Sequence, residues 1–326
     1  MACCERRQGL RLFQWTKKLK ILYLQGPMLE QARGSNLELT LGEISNLLSK
    51  VKSPVMDDWD PLRLGLLLSK LEYEDLDVEA QLKAFKDQVA PLLKDCPQTK
   101  QIWEKVAFVS KIFNEDLGFK GDTANYYNIK NSFLNDVLLR RKGIPITLSL
   151  VYMGLCREVG LKALGIAFPG HFLVRIVDTE EDVAAIDWRQ QRFIDTFDGG
   201  RILSVDECEA RLEEWTRGVL VFGPEALRVA HPSDIAARML RNLKAIFAEK
   251  EDLARLYWVL TALIELSPAE RIESLKERGL LMGRMGRYSQ ATCDLRNYIR
   301  SCEDPQRVAH AERLLNFFQG QREFTN

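Results

Sequence analysis

Gly143-Ile144-Pro145-Ile146-Thr147-Leu148-Ser149 opens the stretch whose reading decides the fold. Proline carries a fixed φ that suits a first helical turn, and a glycine past the last turn suits a helix end. A helix is therefore predicted from Gly143-Ile144-Pro145 to about Val159, stopped at Gly160. Working outward, Ala163 to Phe168 and Phe172 to Val177 are short β-rich runs joined by the turn dipeptide Pro169-Gly170. Val183 to Trp188 and Arg192 to Phe197 are further strand candidates, and Asp198-Gly199-Gly200 ends the block. One helix against an antiparallel sheet is an α+β core.

Before this block the pattern is helical. Leu41 to Val51 and Trp59 to Leu71 show apolar spacings of three and four. Asp77-Val78-Glu79-Ala80 starts a helix running to about Lys94, with acid in its first turn, and another runs from Thr99 to about Asn114. A polar, turn-rich stretch from Asn114 to Lys130 follows. Asn131-Ser132 then offers an N-cap for a helix through Arg141.

After His231-Pro232 the sequence is helical and repeats. Leu240, Leu243, Phe247, Leu256, Leu260, Leu263 and Pro268 fall at tetratricopeptide spacings. About 35 residues on, Leu275, Gly279, Met282, Ala291, Leu295, Tyr298 and a slightly late Pro305 take the equivalent places. A helix from Pro305 to Phe318 would cap the stack. The expected division is a basic extension over 1–36, an α+β domain with preceding helices over 37–231, and helical repeats over 232–326. In the extension Leu10, Leu12, Phe13, Leu19 and Leu22 suit one face of a surface-docking helix, a loosely attached tail is the favoured alternative, and Met28 leaves open whether residues 1–27 belong to the mature protein.

The chain has 326 residues, 46 basic and 46 acidic, with 46% apolar side chains. This is a globular composition, and the even charge gives no argument for nucleic acid or an anionic membrane as partner. The longest uncharged run, Gly143 to Cys156, has 14 residues, whereas a bilayer helix needs about 20. Seven cysteines stand apart, none in a CxxC pair, and the three histidines do not cluster with them. No metal site or other cofactor is expected, and free thiols with no secretory signal point to the cytoplasm. The oligomeric state is not legible.

Helix start, then His171 on a strand start, then Asp195 on a later strand is the layout of a papain-like or transglutaminase-like active site. In such sites a cysteine at the helix N-terminus is activated by the dipole and by an imidazole, which an acid orients. The motifs are more specific than the layout. Phe119-Lys-Gly-Asp-Thr-Ala-Asn-Tyr-Tyr127, Asn131-Ser-Phe-Leu-Asn135, Arg140-Arg-Lys-Gly-Ile-Pro-Ile-Thr-Leu-Ser149 and Phe168-Pro-Gly-His-Phe-Leu-Val174 resemble the SirB-type family. That family pairs a transglutaminase-like domain with tetratricopeptide repeats, and the likeness runs from about Leu37 to Phe318. It implies a transglutaminase-like fold and a bacterial cytoplasmic setting, with related domains in eukaryotic F-box proteins, but no established activity.

Catalytic members of the wider superfamily read Gly-x-Cys, an Arg 12 residues after the cysteine, and a Gly three further on. Gly143, Arg157 and Gly160 keep that register, and the resemblance puts Pro145 in the nucleophile slot. Proline has no attacking atom. Cys156 lies 11 residues down the helix, roughly 16 Å away, and reads as a buried structural thiol. Thr147 and Ser149 are nearer, as activated nucleophiles or as capping and core hydroxyls. His171 and Asp195 read as a pair facing a cleft or as a packed strut. Asn125, Tyr126, Tyr127, Asn131 and Asn135 form a polar, aromatic cluster, either a rim that binds an extended peptide or caps and packing. Arg140, Arg141 and Lys142 suit a solvated helix end better than an anion clamp.

Two functions follow. The first, favoured by Pro145, is a non-catalytic adaptor or regulator with a protein or peptide partner. The second is an amidase-like or acyl-transfer enzyme using His171 and Asp195, with water or Thr147 attacking.

Overall fold

The structure, a computed structural model, describes residues 34–51, 57–99, 101–177 and 188–325. The expected extension up to residue 33, and most of the Val183 to Trp188 strand candidate, lie outside the described residues. Trp188 itself begins a 3-10 turn, Trp188–Gln190. The chain divides into two compact units, one Asn46–Met239 and the other built around Leu240–Asn326. The first described helix, α1 (Gly34–Ser49), begins seven residues before the Leu41 start read from apolar spacing.

In the first unit, α2 (Pro61–Ser69) starts where Asp60 accepts hydrogen bonds from the Leu62 and Arg63 amides. The next helix, α3 (Val78–Val89), is capped by Asp77 and stops well short of Lys94. Pro91 is the reason: it has no amide to donate to the helix ladder and its ring crowds the preceding turn, so the chain continues as a 3-10 turn, Leu92–Asp95. The following helix is α4 (Ile102–Lys111), which widens into a single π turn, Ile112–Asp116.

The polar stretch after it is not merely a loop. Two residues, β1 (Lys120–Gly121), pair in parallel with β2 (Lys142–Gly143), placing Gly121 opposite Gly143 at the entrance to the central helix. Between them lies α5 (Leu134–Arg140). Its expected cap is corrected: Phe133 is the N-cap, and Asn131 ends a 3-10 turn, Ile129–Asn131. The hydroxyl that receives the Leu134 amide, at 2.8 Å, belongs to buried Ser69 on α2.

The central helix, α6 (Pro145–Glu158), matches the reading. Its residues Pro145 to Cys156 are all buried, as expected of a helix apolar on every side. It packs against α2, α4 and α5 and against the sheet. Gly160, at φ +73°, supplies the left-handed residue that ends it. The sheet runs β3 (Lys162–Ile166), β4 (Leu173–Val177), β5 (Arg192–Asp195) and β6 (Arg201–Ser204), antiparallel in that order. The α+β expectation holds.

The block does not end at Gly200. Strand β6 follows at once, and Ser204 caps α7 (Val205–Thr216) by exchanging hydrogen bonds with Glu207. Ser204-Val205-Asp206-Glu207 is a capping box legible in the sequence. On the sheet face, Ile166, Phe168, Leu173, Phe193, Leu203, Cys208 and Leu212 form one buried cluster.

From α8 (Pro232–Glu249) onward the chain is helical: α9 (Leu253–Leu266), α10 (Pro268–Arg284), α11 (Tyr288–Ser301) and α12 (Pro305–Thr325). The last runs beyond the predicted Phe318. In the second unit, Leu240, Leu243, Phe247, Leu256, Leu260, Leu263, Leu275, Met282, Ala291, Leu295 and Tyr298 are all buried. These are the repeat positions, and each large side chain so buried contributes about 1.5–3 kcal/mol. Arg278 forks onto Asp294 at 2.8 Å and Lys244 reaches Glu277 at 3.0 Å, tying neighbouring helices.

Candidate functional site

The turn at Pro169-Gly170 delivers His171 to the start of β4, where its amide bonds the Phe168 carbonyl at 3.0 Å. Asp195 ends β5, one register step from the Val174–Ile194 pair. These two strands bring the side chains together: His171 Nε2 donates to Asp195 Oδ1 at 2.8 Å. Only 2% of His171 and 1% of Asp195 are exposed.

Asp195 serves more than the imidazole. Its Oδ1 also accepts the amides of Phe197 and Asp198, at 3.0 and 3.3 Å. Its Oδ2 accepts the Arg211 guanidinium from α7, and the same guanidinium reaches Asp198 at 3.4 Å. Burial alone would raise the Asp195 carboxyl; the His171 hydrogen bond and charge, then Arg211, outweigh it and hold the carboxyl below its ordinary value. Arg211 was not singled out in the sequence, because nothing near it marks it as a partner of Asp195.

Pro145 is the first residue of α6, and its carbonyl lies 3.4 Å from the Thr196 hydroxyl. The fold therefore brings the start of the central helix beside the Asp195 strand end. The nearby hydroxyls are committed. Buried Thr147 accepts the Ile144 amide at 3.2 Å and donates to the Asn131 carbonyl at 2.8 Å, with the Ile144 carbonyl at 3.1 Å. Ser149 pairs with Thr196 at 2.9 Å inside the core. Both act as caps and core hydrogen-bonders. Cys156 is buried, and that burial pushes its thiol well above the ordinary range. Cys208 on α7, also desolvated, is pushed up to about 12. Neither thiol is poised as a thiolate.

The polar, aromatic cluster does assemble, through Arg140. Its guanidinium donates to Asn131 Oδ1 at 3.0 Å and to Asp122 Oδ2 at 3.2 Å. Asn131 Nδ2 in turn donates to the carbonyls of Asn125 and Tyr126, at 2.8 and 3.3 Å, while Asp122 accepts the Asn125 amide at 3.2 Å. Arg140, itself half-buried, is thus tied to buried Asn131 and Asp122 and is not a solvated helix end. Arg141 lies 4.7 Å over the Phe119 ring and donates to Gln88 at 2.6 Å, so the expected solvated cation is again engaged within the protein.

Tyr127 is 63% exposed and meets Tyr126 edge to face at 5.4 Å; Tyr126 meets Phe197 at 5.9 Å, and Phe197 meets His171 at 6.1 Å. Asn135 is not joined to this network by any hydrogen bond among the described residues; its buried Oδ1 has no partner there. Among the described residues no group of three or more His, Cys, Asp or Glu side chains is arranged to hold a metal ion. No described helix is long and apolar enough to cross a membrane.

Residues 76–241 match the transglutaminase-like superfamily, and residues 243–316 match the tetratricopeptide repeat. The chain belongs to the transglutaminase-like superfamily. A UPF0162 protein of Xylella fastidiosa (strain Temecula1) is 30% identical over 240 residues, covering 72% of this chain and 82% of that protein. The UPF0162 protein of Pasteurella multocida is 28% identical over 217 residues, 65% of this chain and 76% of that protein. F-box only protein 21 of Homo sapiens is 30% identical over 183 residues, 56% of this chain and 27% of that protein. No solved structure matches the chain. In this superfamily member the helix, imidazole and carboxylate stand in the expected order, with a proline at the helix start.

Proposed function

We propose that this chain is a non-catalytic transglutaminase-like protein that acts as a protein- or peptide-binding adaptor or regulator in the cytoplasm. One observation carries the reading: the first residue of α6, the slot for a nucleophile, is Pro145, which has no atom to attack with. The environment supports it. Thr147 and Ser149 spend their hydroxyls on the Asn131 carbonyl and on Thr196, and the Cys156 thiol is buried at the far end of the helix. Residues 232–326, read as tetratricopeptide units, are the part assigned to the partner, because stacked helical repeats build extended concave surfaces. The cluster Asn125, Tyr126, Tyr127, Asn131 and Asn135 is read as a second place for an extended segment, presented by exposed Tyr127.

One observation favours an enzyme: the 2.8 Å hydrogen bond between His171 and Asp195, the geometry that orients a general base. Against it, His171 is 2% exposed and no uncommitted hydroxyl or thiolate stands at the helix start among the described residues. The test is turnover of peptide, amide and acyl-transfer substrates by the purified chain. No turnover is expected; turnover abolished by His171→Gln would overturn the reading. Its other half is tested by capture of a partner with the intact chain, and loss of that capture when residues 232–326 are removed.

A further inference from the structure

We infer that the turn from Asp195 to Gly200 is a built-in cover that closes the His171 imidazole to reagents in solvent, with the Phe197 ring as its shield. This rests on, and deepens, the reading of a site without turnover.

The Phe197 ring touches both the imidazole and the tyrosine pair. Its centroid lies 6.1 Å from that of His171 at an interplanar angle of 90°, and 5.9 Å from that of Tyr126. The ring is half-buried, and the His171 it packs against is 2% exposed. It fits because Gly121 on β1 has no side chain: a Cβ there would lie 2.7 Å from two Phe197 ring carbons. The pairing of β1 with β2 thus sets a glycine against the cover.

The turn is held from several sides. Asp195 Oδ1 receives the Phe197 and Asp198 amides, and the Asp195 carbonyl receives the Gly200 amide at 2.9 Å. Arg211 reaches both Asp195 and Asp198. Beneath it, the π turn brings Asn114 against Gly199, where a Cβ would meet the Asn114 side chain at 3.2 Å. Ser110, paired with Tyr152 at 2.8 Å, takes the same position under Gly200. A turn with this many attachments opens only with local unfolding. It is a fixed plug in the approach to His171, and catalysis would need it displaced as well as a nucleophile restored.

The experiment is acylation of the folded chain by diethyl pyrocarbonate, with each of the three histidines, His171, His231 and His310, followed by peptide mass mapping. In the natural chain His171 should react at least about tenfold more slowly than N-acetylhistidine, as a site that must open first. Phe197→Ala should raise the His171 rate by on the order of tenfold, and Phe197→Leu should raise it less. Gly121→Ala reaches the same end by pushing the ring aside, so a folding failure of one variant leaves the other; circular dichroism checks both. Rapid acylation of His171 in the natural chain, or no rise in either folded variant, overturns the cover. Substrate turnover appearing in Phe197→Ala would instead support the cover and overturn the non-catalytic reading, so the two failures are distinguishable.

Discussion

Asp195→Asn is the substitution that strains the site most for the smallest change in shape. Asp195 is 1% exposed and accepts four donors: His171 Nε2, the Phe197 and Asp198 amides, and Arg211 Nη1. Asparagine can keep one acceptor toward the two amides, but it sets an NH2 donor against the guanidinium and removes the charge. Breaking a buried pair on one side costs about 3–5 kcal/mol. The Arg211 side chain is 21% exposed, so water recovers part of the loss, and about 3 kcal/mol is the better figure. For a unit of this size each kcal/mol moves the midpoint about 2–4 °C, so a fall of roughly 6–12 °C is expected. The sign with pH follows from the depressed carboxyl. Stability that Asp195 supplies as a carboxylate is fully present above the unfolded value near pH 4 and is lost as pH falls through its lower folded value. Calorimetric scans at pH 7, 5 and 3 should therefore show the natural and variant chains equally far apart at the first two and closer at the third. A shift under about 2 °C at pH 7, or an undiminished gap at pH 3, would refute the assignment of Asp195 as an ionised keystone.

Three further substitutions probe neighbouring links. Pro145→Ala should lower stability by only about 0.4–1 kcal/mol, because the first helical position needs no amide and the proline acts mainly by restricting the unfolded chain; urea unfolding would expose a larger loss. Ser69→Ala strands the buried Leu134 amide and should cost about 1–3 kcal/mol, with faster amide exchange in α5 as the specific sign. Gly283→Ala should loosen α12 from α10, since its Cβ would fall 2.1 Å from the Phe318 ring; about 1–3 kcal/mol of overpacking outweighs the helix propensity gained, and earlier protease release of the C-terminal helix would register it.

The elements that sequence reading found are those whose signal is local. Pro145 and Gly160 bracket α6 because fixed and left-handed φ values are properties of single residues. The repeat helices were legible because their large side chains recur at a fixed period, and those side chains are buried. What escaped is held by partners far apart in the chain. The cap of α5 comes from Ser69, 65 residues earlier, while Asn131 beside it turns to the Asn125 and Tyr126 carbonyls. The parallel pairing of β1 with β2 involves two residues on each side, too few for alternation to register. In the site, the order of His171 and Asp195 is legible, but Arg211 lies on a helix beyond the Asp198-Gly199-Gly200 turn, with no local mark that pairs it with Asp195. The Ser204–Glu207 capping box was the available signal for that helix.

A retained His–Asp pair is weak evidence for turnover, and the reason lies in what this pair holds together. A carboxylate buried to 1% exposure is costly to desolvate, so the fold must give it donors, and each donor ties a different element to it. His171 joins the β3–β4 turn through its bond to the Phe168 carbonyl; the Phe197 and Asp198 amides fix the β5–β6 turn; Arg211 brings in α7. Removing Arg211 would leave the buried carboxylate without its cation, a loss of several kcal/mol out of a total of about 5–15. The bonds that would orient an imidazole for chemistry therefore staple two turns and a helix to the sheet with or without a reaction. Nothing comparable protects the attacking atom at the start of α6. A thiol there would be an end group, and proline satisfies the same backbone position by its ring alone. The discriminating position for function in this fold is thus the first residue of the central helix, where catalysis and stability make separable demands, and not the histidine, where they coincide.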